Sequence, residues 1–113
     1  MIQIYHNQRC GKSRSCLLLL EESNKEVEIV NYLNTPPTVH ELAALLKKLN
    51  LSPIELVRQK ESIWIENFKG KPLTDDEIIQ AMAKNPILIE RPIVVNGNRA
   101  IIGRDLEKVI PFI

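Results

Sequence analysis

The sequence predicts an α/β fold: a four-stranded mixed sheet with flanking helices, interrupted by a helical insertion over about residues 38–85. Three observations carry this expectation. Short β-type runs stand at both ends of the chain, at residues 2–5 and 27–30 and again at 93–95 and 100–102, whereas helical periodicity fills the middle. One helical segment joins the first two strands, which makes them parallel with a right-handed crossover. The last two strands flank Asn96-Gly97-Asn98-Arg99, a hairpin signal that makes the second pair antiparallel. The 113 residues suffice for one domain with one core, and neither a repeat nor a linker divides them.

In chain order, residues 2–5 read as a strand and 7–11 as a loop. A helix is expected from about Lys12 to Glu22, with Leu17 to Leu20 buried on most sides. Val27-Glu28-Ile29-Val30 is the second strand, and Asn34-Thr35-Pro36-Pro37 breaks the chain after it, since proline cannot donate to a strand ladder. Three hydroxyl–glutamate pairs follow: Thr38 with Glu41, Ser52 with Glu55, and Thr74 with Glu77. Each has the spacing of a capping box and is expected to open a helix. Leu42, Leu45, Leu46 and Leu49 repeat at the spacing of a core-facing helix. Pro53 falls at a first helical position, where its missing N–H is no loss. Ile78, Ile79 and Met82 stripe the third helix, and Asn85-Pro86 ends it. A last helix is expected from near Arg104 to Ile110.

Composition narrows the function. Apolar residues make up 44% and charged residues 26%, the balance of a folded globular domain rather than a disordered chain. No apolar run exceeds five residues, against the roughly 20 that a membrane-spanning helix needs. Fifteen basic and fourteen acidic side chains leave a net charge of +1, too little basic excess for a nucleic-acid partner to be expected. No basic stretch with an apolar core marks the N-terminus as an export signal, so the two cysteines point to a reducing, cytoplasmic setting.

Charge is unevenly spread. The first 20 residues hold Arg9, Lys12 and Arg14 and no acid. Cys10 sits among them, between a strand and a helix. Free amides at the helix N-terminus and three nearby cations all favour thiolate over thiol. Lowering a thiol pKa from about 8.5 to about 6.5 raises the thiolate share at pH 7 from about 3% to roughly 75%, worth about 2.7 kcal/mol. Cys16 is different: it lies in an apolar run and reads as a small core residue. Six helical residues rise about 9 Å, so Cys16 cannot bond Cys10 unless the first turn unwinds. A redox-active Cys10 would therefore take its reductant from outside the chain. A Cys-x5-Arg phosphate cradle fails on spacing, because the position that needs arginine is Cys16.

His6 lies four residues before Cys10. It reads equally well as an imidazolium partner of the thiolate and as a loop histidine bonded to backbone. His40, in the first turn of a helix, has no assigned role. Arg91 precedes Pro92 immediately before a strand, where a cis bond is open to it. Arg104 follows Gly103 at a strand-to-helix turn. Arginine forks match tetrahedral oxyanions with two donors at once.

The stretch Tyr5-His6-Asn7-Gln8-Arg9-Cys10-Gly11-Lys12-Ser13-Arg14 resembles the nucleophile motif H-N-x-x-C-G-x-S-R of the ArsC family of glutaredoxin-linked arsenate reductases. Tyr32-Leu33-Asn34-Thr35-Pro36-Pro37 resembles the family's Y-L-x-T-P-P, and Ile87-Leu88-Ile89-Glu90-Arg91-Pro92-Ile93 resembles its P-I-L-I-x-R-P-I segment. The likeness runs in order from residue 2 to about 110. Gln8-Arg9 stands where the family more usually has proline and a small residue, and no proline follows Arg104.

This resemblance implies a thioredoxin-like fold with a helical insertion. It implies that Cys10 attacks arsenate, that His6 stands beside the thiolate, and that Ser13 is placed to hydrogen-bond it. Three family arginines that hold the oxyanion fall on Arg58, Arg91 and Arg104, with Arg58 on a helix of the insertion. Glutathione is then the co-substrate and glutaredoxin the resolving partner, with no bound cofactor, no metal, and a monomer as the working unit. Two other readings compete. A Spx-like regulator that binds RNA polymerase typically carries C-x-x-C, and here the second position is Ser13. A glutathione-dependent thiol oxidoreductase would use the same Cys10 without arsenate.

Overall fold

The sheet forms around the strand whose alternation is cleanest. In β1 (Ile2–Tyr5), Ile2 and Ile4 are buried while Gln3 and Tyr5 are half-buried. The computed structural model describes residues 1–113, packed as two compact units: residues 1–35 with 91–113, and residues 36–90. No helix is long and apolar enough to cross a membrane.

In the first unit, β1 pairs in parallel with β2 (Val27–Val30) and antiparallel with β3 (Ile93–Asn96), which in turn pairs antiparallel with β4 (Arg99–Ile102). The order is β2-β1-β3-β4, the expected four-stranded mixed sheet. Ile93, Val94 and Val95 are all buried, as befits an inner strand covered on both faces. The crossover between β1 and β2 is α1 (Gly11–Glu22). Its Cys16 and Leu20 are one turn apart and pack with Ile2, Ile4, Val94 and Val109. Leu18 is exposed, which corrects the expectation for the leucine run: at about 100° per residue only one stripe of four consecutive leucines can face the sheet.

The hairpin sits one residue later than the Asn-Gly pair suggests. Asn96 pairs with Arg99, so the two-residue loop is Gly97-Asn98, with positive φ at Gly97 alone. That is the pattern of a type II′ turn, in which glycine takes the first central position. Asn96 is freed for another task, and its side chain donates to the Phe112 carbonyl at 3.0 Å. The last helix is also shorter than expected. α5 spans Leu106–Val109, with Asp105 as its cap, and a 3-10 turn follows at Ile110–Phe112. Arg104 thus lies in the turn before α5 and not in its first turn.

The second unit is helical. α2 (Val39–Leu49) and α4 (Asp75–Lys84) are each opened by a closed capping box, from Thr38 with Glu41 and Thr74 with Glu77. Leu42, Leu45 and Leu46 on α2 and Ile78, Ile79 and Met82 on α4 are buried as their spacing predicts, and the two helices pack together. The middle box opens something smaller. Glu55 accepts from the Ser52 N–H at 3.1 Å, but only a 3-10 turn follows, at Pro53–Leu56. Val57 then leaves the turn in extended conformation and bridges to Ile89. Arg58 follows that bridge and lies outside any helix, not on a helix as expected. A short helix that no cap signal announces, α3 (Ser62–Asn67), buries Trp64, whose ring stacks on Phe68 with centroids 5.3 Å apart.

Candidate active site

Cys10 is the N-cap of α1, with extended φ and ψ of −96° and 121°, a partly exposed side chain and no disulfide. The loop before it is tied from several directions. The Cys10 N–H donates to the Asn7 carbonyl, the Arg9 N–H donates to Asn7 Oδ1, and the Arg14 N–H donates to the Cys10 carbonyl, each at 3.0 Å. Arg14 Nη1 folds back over the loop and donates to the Gln8 carbonyl, also at 3.0 Å.

These ties set the electrostatics of the sulfur. Partial burial pushes the Cys10 thiol up, but it is outweighed by the Ser13 amide, the Arg91 guanidinium and the Lys12 amide, and the pKa ends below the ordinary thiol value. The sulfur closes no regular cap hydrogen bond, yet it faces the amides of the first helical turn. The dominant cation is Arg91, 81 residues away in sequence, rather than any of the three cations beside Cys10 that the sequence brings to notice.

Ser13 is fully buried and His6 is 7% exposed. His6 Nδ1 lies 2.6 Å from Ser13 Oγ, and the Asn7 N–H donates to the same oxygen at 3.0 Å. The Ser13 hydroxyl is thus engaged beneath the loop, and it is the Ser13 backbone amide that acts on Cys10. Burial, reinforced by the charge of Arg14, lowers the His6 pKa, with Glu21 opposing. A neutral imidazole bonded to Ser13 is neither of the two roles that the spacing left open, an imidazolium partner or a backbone-bonded loop residue.

Of the three predicted arginines, one meets Cys10 directly and a second is bonded to that arginine. Arg91 hydrogen-bonds Cys10 through its side chain, and the Arg91–Pro92 peptide is cis. Arg104 Nη1 donates to the Arg91 carbonyl at 3.0 Å. The Gly103 N–H donates to the Pro92 carbonyl at 2.8 Å, so the end of β4 and the turn before β3 are fastened together. Arg58 belongs to the second unit. Its N–H donates to the Leu88 carbonyl at 2.7 Å, and its guanidinium pairs with Glu61 and Glu90 at 3.2 Å each. Cys16 is fully buried, and burial pushes its pKa up to about 11. No three His, Cys, Asp or Glu side chains cluster as a metal site would require.

Two residues escaped the sequence reading. Asn7 was visible only as a letter of the motif, although it is 5% exposed and bonds to three other residues of the loop and helix. An asparagine three residues before a helix cap, followed by a polar pair, is the available signal for such a turn. Arg14 counted only as charge, whereas its fork also closes the loop over Gln8.

A thiol at a helix N-terminus beside the cis-proline turn of a mixed four-stranded sheet places the molecule among the thioredoxin-like α/β proteins. Within that class the chain belongs to the ArsC family, whose model matches residues 5–112. The uncharacterized protein YfgD of Escherichia coli strain K12 is 47% identical over 114 residues, covering 99% of this chain and 96% of its own. An arsenate reductase of Neisseria meningitidis serogroup A is 42% identical over 110 residues, 96% of this chain and 94% of that protein. The solved structure of an arsenate reductase from Vibrio cholerae shares 41% identity and a TM-score of 0.93, covering 99% of this chain and 97% of that one.

Proposed function

We propose that this protein reduces arsenate to arsenite, with the Cys10 thiolate as nucleophile and glutathione and glutaredoxin as external reductants. The observation that carries the reading is the setting of Cys10, a partly exposed thiol of lowered pKa facing helix amides and the Arg91 fork. Relatives that bear the name arsenate reductase over nearly their full length supply the substrate.

The chemistry follows from that setting. The thiolate forms a sulfur–arsenic bond, and one arsenate oxygen leaves as water. Glutathione displaces a second arsenate oxygen as water and bonds to arsenic. A glutaredoxin thiolate then takes the glutathione sulfur as a mixed disulfide, leaving the electron pair on arsenic, and water cleaves the Cys10–arsenic(III) bond to release arsenite and the Cys10 thiol. In total arsenic(V) gains two electrons as two thiols become one disulfide. Arg91 and Arg104 supply forked donors for the oxyanion, each charge-assisted hydrogen bond contributing about 1.5–3 kcal/mol. Arg58 is assigned the third contact on the family resemblance, with Glu61 and Glu90 holding its fork. Ser13 acts through its amide, and His6 holds Ser13 in place. Cys16, buried and with a raised pKa, is left out of the electron path. The reaction needs a reducing compartment, the cytoplasm, and the chain is proposed to work as a monomer.

The test is arsenite formation from arsenate with glutathione, glutaredoxin and a recycling system, each omitted in turn. Turnover that requires both thiol components supports the reading. Turnover of glutathione mixed disulfides without any arsenite would favour the thiol-oxidoreductase alternative, and capture of RNA polymerase in a pull-down would favour the regulator.

A further inference from the structure

The buried polar residues His6, Asn7 and Ser13 are linked by hydrogen bonds at the Ser13 hydroxyl, and no assignment above uses Asn7. Asn7 is 5% exposed, in a loop whose other members, Gln8 and Arg9, are exposed. It bonds in three directions. Its Oδ1 accepts the Arg9 N–H, its carbonyl accepts the Cys10 N–H, and its own N–H donates to Ser13 Oγ, all at 3.0 Å. The first two bonds curl residues 7–10 into a side-chain-supported turn. The third anchors that turn to the first turn of α1, at an oxygen also held by His6.

We propose that Asn7 is a positioning residue for the nucleophile, fixing where the Cys10 sulfur stands relative to the N-terminus of α1. The backbone bonds of Asn7 are open to any residue, but only a short side chain with an acceptor can close the turn through Arg9. Without it, residues 8–10 lose a constraint on the one segment that aims Cys10 at the amides of Lys12 and Ser13 and at Arg91. The sulfur then moves into water, losing the burial penalty together with the amide and Arg91 contacts that outweigh it, and the thiol pKa rises toward its ordinary value.

This inference rests on Cys10 being the reactive thiol, and its test does not depend on arsenate. The rate of iodoacetamide alkylation is followed against pH in three proteins carrying Cys16→Ser, so that only Cys10 reports: one with Asn7 intact, one with Asn7→Ala and one with Asn7→Ser. Thermal unfolding is measured on each. With Asn7 intact the midpoint is expected below about 8.5, the ordinary thiol value. Asn7→Ala is expected to raise it by roughly one unit, a tenfold loss of thiolate at pH below the midpoint. Asn7→Ser, whose hydroxyl can accept the same Arg9 N–H, is expected to recover at least half of that shift. A folded Asn7→Ala protein with an unchanged midpoint overturns the proposal. If Asn7→Ala does not fold, a folded Asn7→Ser protein decides: a midpoint nearer to that of intact Asn7 than to 8.5 supports the proposal, and one at 8.5 overturns it. Arsenite formation that is absent with Asn7 intact counts against the proposed substrate and leaves the alkylation result standing.

Discussion

Two cysteines six residues apart meet opposite environments, and the difference assigns their roles. Cys10 caps a helix beside an arginine, and Cys16 is buried among Ile2, Ile4 and Val94. Cys16→Ser is expected to keep kcat/KM for arsenate within about twofold, while losing about 1–3 kcal/mol in urea unfolding from a buried hydroxyl. Arg91 touches Cys10, whereas Arg99 lies on the hairpin and stacks over Phe112 at 5.1 Å. Lysine keeps the charge and loses the fork, so Arg91→Lys is expected to lower kcat/KM by about 10-fold or more and Arg99→Lys by less than about twofold, read in parallel assays. His6 carries the pH dependence at this scale. Its folded pKa is lowered, so the unfolded chain binds the proton more readily, and stability is lost as pH falls from about 6.5 toward the folded value. Urea midpoints between pH 7.5 and 5 should therefore decline in the native sequence, and less steeply in His6→Asn.

At the scale of elements, the end of β4 shows how packing serves the site. A Cβ at Gly103 would stand 2.9 Å from Cys16 Sγ, 3.2 Å from Val94 Cγ2 and 3.4 Å from Val109 Cγ2, all in a buried setting. The strand can approach α1 only because residue 103 has no side chain, and that approach brings Arg104 over the Arg91 carbonyl. Gly103→Ala is expected to cost about 1–3 kcal/mol by overpacking, and adding Cys16→Ala should return part of it by removing the nearest atom. Equal losses in the single and double variants, read from denaturant midpoints, would show that Cys16 is not the obstacle. The same scale shows what local signals can tell. The Thr38 and Thr74 boxes are followed by apolar residues at helical spacing and open full helices, while the Ser52 box is followed by an extended Val57 and opens only a turn. A cap specifies a start, and packing decides the length.

For the whole molecule, the two strand pairs were legible because their sense follows from connectivity: a helical crossover forces β1 and β2 parallel, and a tight turn forces β3 and β4 antiparallel, whereas the antiparallel pairing of β1 with β3 that joins them has no local signal. Cys10 was legible because its charge context is local. The pairing of Arg91 with Cys10 was open only to family likeness, since nothing between residues 10 and 91 encodes their meeting except the complete fold. The bonds of Asn7 were hidden for a different reason: they depend on a loop conformation that composition does not specify. The account stands on Cys10 performing the chemistry with reductants from outside the chain. The most direct measurement is peptide mapping by mass spectrometry of the protein quenched during arsenate turnover with glutathione and glutaredoxin, alongside arsenite formation by Cys10→Ser. The account predicts arsenic or glutathione on the Cys10 peptide alone, an unmodified Cys16, and no arsenite from Cys10→Ser; a Cys10–Cys16 disulfide, or undiminished arsenite from Cys10→Ser, would contradict it.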